Sequence, residues 1–339
     1  MNRKLISLVL VIAMLVGSVS MAFAQGQQEA AGAKTIELRL GHIYDPSHPW
    51  NKGAELAVKR AAELSNGRIK ITNYPAGQRG TELELQEQML LGSIDIVVSG
   101  AGQVGSIYSP VNVLEMPYTF KDNQHVLAFA ESDLGKALFE GYRKKFGGRI
   151  IGPSSYGIRQ MATDRPVRTP ADLAGFKLRV PEQTVTMAYG RAMGANPTPI
   201  AFSEAYMALQ QGVVNGLENP LSAIYAQKFH EVTSHIILTS HVTNACFFVM
   251  NDKKFLSLSA EDQAIILQAF KEGSKLIVDV LDQEDRDLVA EFQKAGKTVM
   301  TPDLDAFRRA TANMPRDFAH WWADEFGADF HSKIQNLKY

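Results

Sequence analysis

Ile36-Glu37-Leu38-Arg39-Leu40 alternates apolar and polar positions, the period of a strand buried on one face. From Trp50 to Leu64 the apolar positions recur at helical spacing until Asn66-Gly67 stops the run. Arg68 to Tyr74 returns as a strand, Pro75 to Gly80 is a turn-rich loop, and Thr81 to Leu91 is helical. Ile94 to Val98 is an apolar run short enough for a strand buried in a parallel sheet. This β-α-β-α-β order predicts a doubly wound α/β domain. Val126 to Phe146 reads as one helix, Arg149 to Ser155 as a strand, and Thr169-Pro170-Ala171-Asp172 as a capped short helix closed by Gly175.

The next stretch concentrates the candidate chemistry. Phe176, Leu178 and Val180 alternate with Lys177 and Arg179, and Pro181 ends the ladder by removing a donor. Arg179 is therefore expected at the carboxyl end of a strand and off its core face, where open α/β sheets bind ligands. Ser203 is predicted to cap a helix running to about Gln211, with Phe202 and Met207 as a hydrophobic staple and Gly212 as its stop. Glu218-Asn219-Pro220 reads as an extended corner, because a residue before proline avoids the helical region. A cation, an aromatic ring and an amide thus converge from three loops.

Tyr225 to Thr233 is predicted helical and Ala245 to Asn251 an apolar strand. Ser259-Ala260-Glu261-Asp262 opens a helical run to about Phe292, with Gly273 its weak point; it would span roughly 50 Å at 1.5 Å per residue, more than one domain. Asp303 to Phe307 and Met314 to Phe326 read as closing amphipathic helices, with Trp321 and Trp322 assigned to the core.

The N-terminus changes the picture. Asn2-Arg3-Lys4, an apolar run from Leu5 to Val16, and Ala22-Phe23-Ala24 have the three regions of a secretory signal peptide, with cleavage expected after Ala24. Gly17, Ser18 and Ser20 interrupt the run short of the roughly 17–25 apolar residues of a membrane span. Residues 25–34, rich in Gln, Ala and Gly, read as a flexible tether. The 35 basic and 36 acidic residues nearly cancel, which gives no support to a nucleic-acid surface or a polybasic membrane patch. The single cysteine, Cys246, lies in an apolar run as a small buried hydrophobe and excludes an intrachain disulfide.

Gly100-Ala101-Gly102-Gln103-Val104-Gly105 matches the dinucleotide pattern G-x-G-x-x-G. It falls on the third strand, however, with no acidic residue ending a strand about twenty residues on, so the glycines read instead as letting backbone N–H groups approach a ligand. His230 and His235 lack a third metal ligand in reach, and Gly152 to Gly157 is not a nucleophile elbow. No catalytic set, metal site or cofactor is expected.

Leu178-Arg179-Val180-Pro181, the run Asn196-Pro197-Thr198-Pro199 leading to Ala201-Phe202-Ser203-Glu204, and Glu218-Asn219-Pro220 occur in an order that resembles the periplasmic solute-binding proteins of tripartite ATP-independent (TRAP) transporters, the DctP-like family. The resemblance covers nearly the whole mature chain and is strongest toward the sialate-binding branch between about Ile158 and Asn251. It implies a two-lobed periplasmic-binding-protein fold with doubly wound sheets and a long inter-domain helix. The lobes would comprise residues 35–156 with about 245–284, and 157–244 with about 285–339.

The resemblance also implies roles. Arg179 would form a two-pronged salt bridge with a substrate carboxylate, Arg159 would be a second arginine facing the cleft, the Asn219 amide would meet the ligand, and Phe202 would pack near the bound acid. Glu82 matches an acidic position of sialate binders, but those carry a Glu and an Arg where this chain has Gly100 and Gln103, which argues against sialate itself. Gln103 and His42, with His48 beside it, are candidate partners for ligand hydroxyls. The expected function is capture of a small organic acid, a sugar acid such as a hexuronate ahead of a C4-dicarboxylate, a 2-oxo acid or sialate, and its delivery to a membrane permease by a monomeric, non-catalytic protein. A dinucleotide-dependent oxidoreductase and a periplasmic sensor subunit are the rival classes.

Overall fold

A computed structural model describes residues 35–339; the segments read as signal peptide and tether lie outside it. β1 (Ile36–Gly41) pairs in parallel with β2 (Ile69–Tyr74) and β3 (Ile96–Gly100), joined through α1 (Pro49–Leu64) and α2 (Glu82–Leu91). Local chemistry sets these helix starts. The His48 ring accepts from Trp50 N, and Thr81 and Glu84 satisfy each other's backbone in a reciprocal cap. α3 (Ala101–Gly105) follows β3 without a loop, and a 3₁₀ turn, Ser109–Glu115, comes next.

The helix predicted over Val126 to Phe146 is two, α4 (Asn123–Glu131) and α5 (Asp133–Phe146). Ser132 between them is extended and accepts from Gly135 N at 3.2 Å, so one serine stops the first helix and caps the second.

β4 (Gly148–Thr163) runs far beyond the predicted Ser155. After it come β5 (Lys177–Val180), α6 (Thr184–Ala192), β6 (Asn196–Pro199), α7 (Ala205–Gln210), β7 (Gly216–Pro220), α8 (Leu221–Ala226) and β8 (His235–Asn251), which begins ten residues before the predicted strand. β4 and β8 pair antiparallel over nearly their whole length. One half of β8 continues into β3, and the far half of β4 continues into β7, β5 and β6. The two lobes therefore share one nine-stranded sheet in the order β2-β1-β3-β8-β4-β7-β5-β6, with β9 (Thr298–Met300) on the free stretch of β8. The register shifts between Ser155 and Gly157 and again between Arg159 and Met161, and Gly157 takes a φ of 109° that favours glycine. Bulges let the strands bend where a sequence reader sees a break.

After α9 (Asp252–Leu256), α10 (Ala260–Lys294) starts on the Ser259 cap and runs 35 residues. Ile266, Phe270, Ile277 and Leu281 bury against Leu40, Trp50 and Phe248 in the core of the first half, whereas Leu288 and Phe292 join Leu217, Ile224 and Phe229 in the second. One helix thus spans two cores. Gly273 is the point of closest approach rather than a weak point: a Cβ there would lie 2.5 Å from the Gly53 carbonyl oxygen of α1. After α11 (Leu304–Thr311), the expected helix over Met314 to Phe326 is broken into short turns, with Trp322 buried against the core.

Candidate functional site

A cavity of about 280 Å³ opens at the carboxyl ends of β1, β3, β5 and β7. It lies near the lower end of the roughly 300–1,000 Å³ of small-molecule sites, so it suits a compact ligand. The chain before β4 contributes Tyr44, Glu82, Gln103 and Glu115 to its wall; β4 and the chain after it contribute Tyr156, Arg159, Arg179, Phe202, Asn219 and Asn244.

Arg179 stands on β5 with 1% of its surface exposed. Its Nε and Nη2 both donate to the Ile200 carbonyl, at 2.9 and 2.7 Å, while Nη1 is buried and has no hydrogen-bond partner among the described residues. Burial lowers its pKa to about 10, still far above neutrality, with Glu218 pulling the other way. A buried guanidinium with its Nη edge unused is a strong attractor for an anion, and the two parallel N–H groups of that edge match a carboxylate. The Phe202 ring centroid lies 5.9 Å from the guanidinium carbon.

Arg159, on β4, is in a different state. The Glu218 carboxylate takes its Nε and, at 2.7 Å, its Nη2; the Glu218 carbonyl accepts from Nη2 at 3.0 Å, and Asn244 Oδ1 from Nη1 at 2.7 Å. Of five guanidinium N–H donors, four are used and one is left for a ligand. Burial, the largest single effect, would raise the Glu218 carboxyl, but the Arg159 guanidinium and the His241 ring together outweigh it and bring the value to about 2. His241 Nε2 lies 3.4 Å from the same carboxylate, its ring pushed toward the neutral form by burial.

Asn219 is carried by β7, with its Nδ2 buried and unpartnered among the described residues. Phe202 sits in a 3₁₀ turn, Phe202–Glu204, ahead of α7. The predicted Ser203 cap is absent: no side chain caps either segment, and Met207 is half exposed, so the staple does not form. Ile200 N donates to Val180 O and Ile200 O serves Arg179, which holds the chain extended to that point. The backbone delays the helix in order to fix the arginine.

Glu82 opens α2, and its Oε1 accepts from Gly100 N at 2.7 Å. Burial raises its pKa, opposed by that hydrogen bond and by Arg159. Gly100 to Gly105 form the β3–α3 junction, where a Cβ on Gly102 or Gly105 would collide with the Gln183 or Asn112 amide. With a carboxylate already on the first N–H of this turn, the glycines serve close packing and an open cavity wall, not a pyrophosphate. Gln103, from α3, reaches the same wall.

His42 is a correction. It does not line the cavity; Ile43 and Tyr44 do. The alternation that buries Leu38 and Leu40 also buries His42, whose Nδ1 accepts from Tyr44 N and whose pKa burial lowers to about 4 against hydrogen bonds from Asn51 and Asn73. His48, lowered to about 3 by burial, stacks 4.6 Å behind Tyr44. Both histidines back the wall as neutral rings. Cys246 is buried too, its Sγ 3.7 Å from Tyr44 Oη.

Sequence reasoning missed Tyr44, Tyr156, Glu115 and Asn244. Glu115 is the lone charge between Val111 and Pro117, and Asn244 the polar residue just before the apolar run of β8, each a signal of a buried polar group with a task. Asn244 accepts from Arg159 and donates to Glu115 Oε1. Burial raises the Glu115 carboxyl to about 7, with Arg159 opposing and Glu218 adding to the rise.

Two α/β lobes on a shared sheet, with an uncompensated cation in the cavity between them, define a solute-binding protein for an anionic ligand. Residues 40–320 match the model of the DctP family, bacterial extracellular solute-binding protein family 7, and the chain belongs to that family of TRAP solute-binding proteins. It is 32% identical over 265 residues, 78% of this chain and 83% of the relative, to the sialic acid-binding periplasmic protein SiaP of Vibrio cholerae. Among solved structures, a TRAP periplasmic solute-binding protein of Polaromonas sp. JS666 bound to D-erythronate is 27% identical with a TM-score of 0.84, covering 90% of this chain and 99% of that one. One of Roseobacter denitrificans with bound L-galactonate is 27% identical with a TM-score of 0.80, covering 89% and 98%.

Proposed function

We propose that the protein captures a sugar acid, an aldonate or a hexuronate, and delivers it to the membrane permease of a TRAP transporter without a chemical step. The observation that carries this reading is Arg179, a buried cation with an unpartnered Nη1 in a cavity that also contains hydroxyl-bonding groups. The carboxylate docks on the free Nη edge, Asn219 donates to it, Phe202 packs beside it, and Gln103 and Glu82 meet the hydroxyls. Related proteins with bound D-erythronate, L-galactonate and, in Sulfitobacter, β-D-galacturonate support this ligand class.

In this reading residues 35–156 with about 245–284 form one lobe and 157–244 with about 285–339 the other. The bulges in β4 lie at their crossing, so the ligand bridges the lobes and stabilises the closed state by its differential affinity. The protein acts as an exported monomer cut after Ala24. A thermal-shift screen over hexuronates, aldonates, sialate, C4-dicarboxylates and 2-oxo acids tests the ligand class. Stabilisation by at least one sugar acid, confirmed calorimetrically, is the expected result; stabilisation confined to 2-oxo acids or dicarboxylates overturns it.

A further inference from the structure

The polar groups of the cavity are sorted by wall. On the side of β5 and β7 the unsatisfied groups are donors: Arg179 Nη1 and Asn219 Nδ2 are buried without acceptors among the described residues. On the side of α2, α3 and the 3₁₀ turn that follows, the charged side chains of the first half are the carboxyls Glu82 and Glu115, with the neutral Gln103 amide beside them. Glu82 accepts from Gly100 N and Glu115 from the Asn244 amide, and among the described residues neither makes an ion pair that would cancel its charge toward the cavity. The Arg159 charge cannot do so in full, because Glu218 already neutralises it.

From this division we infer that Glu82 and Glu115 are specificity determinants that restrict the cavity to monocarboxylates bearing hydroxyl groups and reject acids with a carboxylate at both ends. The inference rests on the sugar-acid reading above and narrows it. A ligand anchored by one carboxylate on Arg179 extends toward the acidic wall. A hydroxyl arriving there donates to a carboxylate, a charge-assisted bond stronger than a neutral one. Above about pH 7, where Glu115 is ionised, a second carboxylate arriving there brings no donor and meets like charge, so its desolvation goes uncompensated. Discrimination then comes from repulsion of the wrong ligand as much as from attraction of the right one.

Aldonates and aldarates test this directly, because galactonate and galactarate, like gluconate and glucarate, differ only in whether the far carbon is an alcohol or a carboxylate. Calorimetric titrations at pH 8 should include these two pairs, glucuronate and succinate, with the wild-type protein and the Glu115→Gln and Glu82→Gln variants. The expected wild-type result is that the aldonate of the better pair binds at least about tenfold more tightly than its aldarate, a difference of about 1.4 kcal/mol. At least one variant should narrow that ratio severalfold, since glutamine keeps the shape and removes the repulsion. An aldarate that binds wild type as tightly as its aldonate overturns this inference and leaves the sugar-acid reading standing. A preference that persists unchanged in both variants removes Glu82 and Glu115 as its source. Binding of succinate with none of the sugar acids overturns the sugar-acid reading and this inference with it.

Discussion

Arg159 and Arg179 are both buried arginines on the wall of one cavity, yet one is saturated and the other is not. Arg159 spends four of its N–H groups on Glu218 and Asn244, which fixes β4, β7 and β8 to one another where the register shifts. Arg179 has only the Ile200 carbonyl, held to it by a backbone that postpones the start of the next helix. A paired buried cation contributes to structure, whereas an unpaired one is destabilising until an anion arrives, and the difference assigns the first to the framework and the second to the ligand.

The largest effect should come from removing the partner of the saturated arginine. Glu218→Gln leaves Arg159 charged and unpaired at the junction of three strands, and loss of one member of a buried pair costs roughly 3–5 kcal/mol. The ligand-free melting temperature should fall by roughly 5–8 °C; a fall of only a degree or two would break the contrast. Arg179→Ala should do the reverse, leaving the free melting temperature near or above wild type while weakening sugar-acid binding by roughly 2–5 kcal/mol. Arg179→Lys should fall at the low end of that range, because it keeps charge and loses the fork.

A smaller effect distinguishes the acidic wall by pH. Glu115 is raised to about 7 in the folded protein, so the folded state holds a proton there that the unfolded state has released at lower pH. Its contribution to stability is present below the ordinary glutamate range and is lost as pH rises through about 7. The buried, neutral His42 and His48, lowered to about 4 and 3, act with the opposite sign: their contribution is full above the ordinary histidine value and is lost as pH falls toward 4. Between the ordinary glutamate range and about pH 7 the two effects oppose each other, so Glu115→Gln should steepen the rise of stability with pH across that window and leave the profile above about pH 8 unchanged; an unchanged slope within the window would reassign the carboxyl. Smallest is Asn219→Ala, which removes one hydrogen bond to the ligand and should weaken binding by about 1 kcal/mol, with no loss of free-state stability.

Strand and helix periods made the first half of the chain legible through β3, and the alternation around Leu178 and Val180 placed Arg179 at a strand end. What escaped was long-range. β4 and β8 look like broken segments because Pro153, Gly157 and Ser240 punctuate them, but bulges absorb Gly157 and Ser240, and Pro153 sits in register opposite Phe247. That His42 shares a face with Leu38 was readable from the period of two, whereas the pairing of Arg159 with Glu218, 59 residues away, was not. Nothing local to either residue distinguishes the saturated arginine from the free one.

The central claim is that a ligand carboxylate meets Arg179, and a double-mutant cycle measures it most directly. Glucuronate and glucuronamide, or the aldonate and aldonamide of whichever acid binds best, should be titrated calorimetrically against wild type and Arg179→Ala. The account predicts that wild type prefers the acid by roughly a hundredfold, about 2.8 kcal/mol, and that the preference collapses to within a few fold in the variant. An acid preference of the same size in both proteins would contradict it, because the carboxylate would then be held by something other than Arg179.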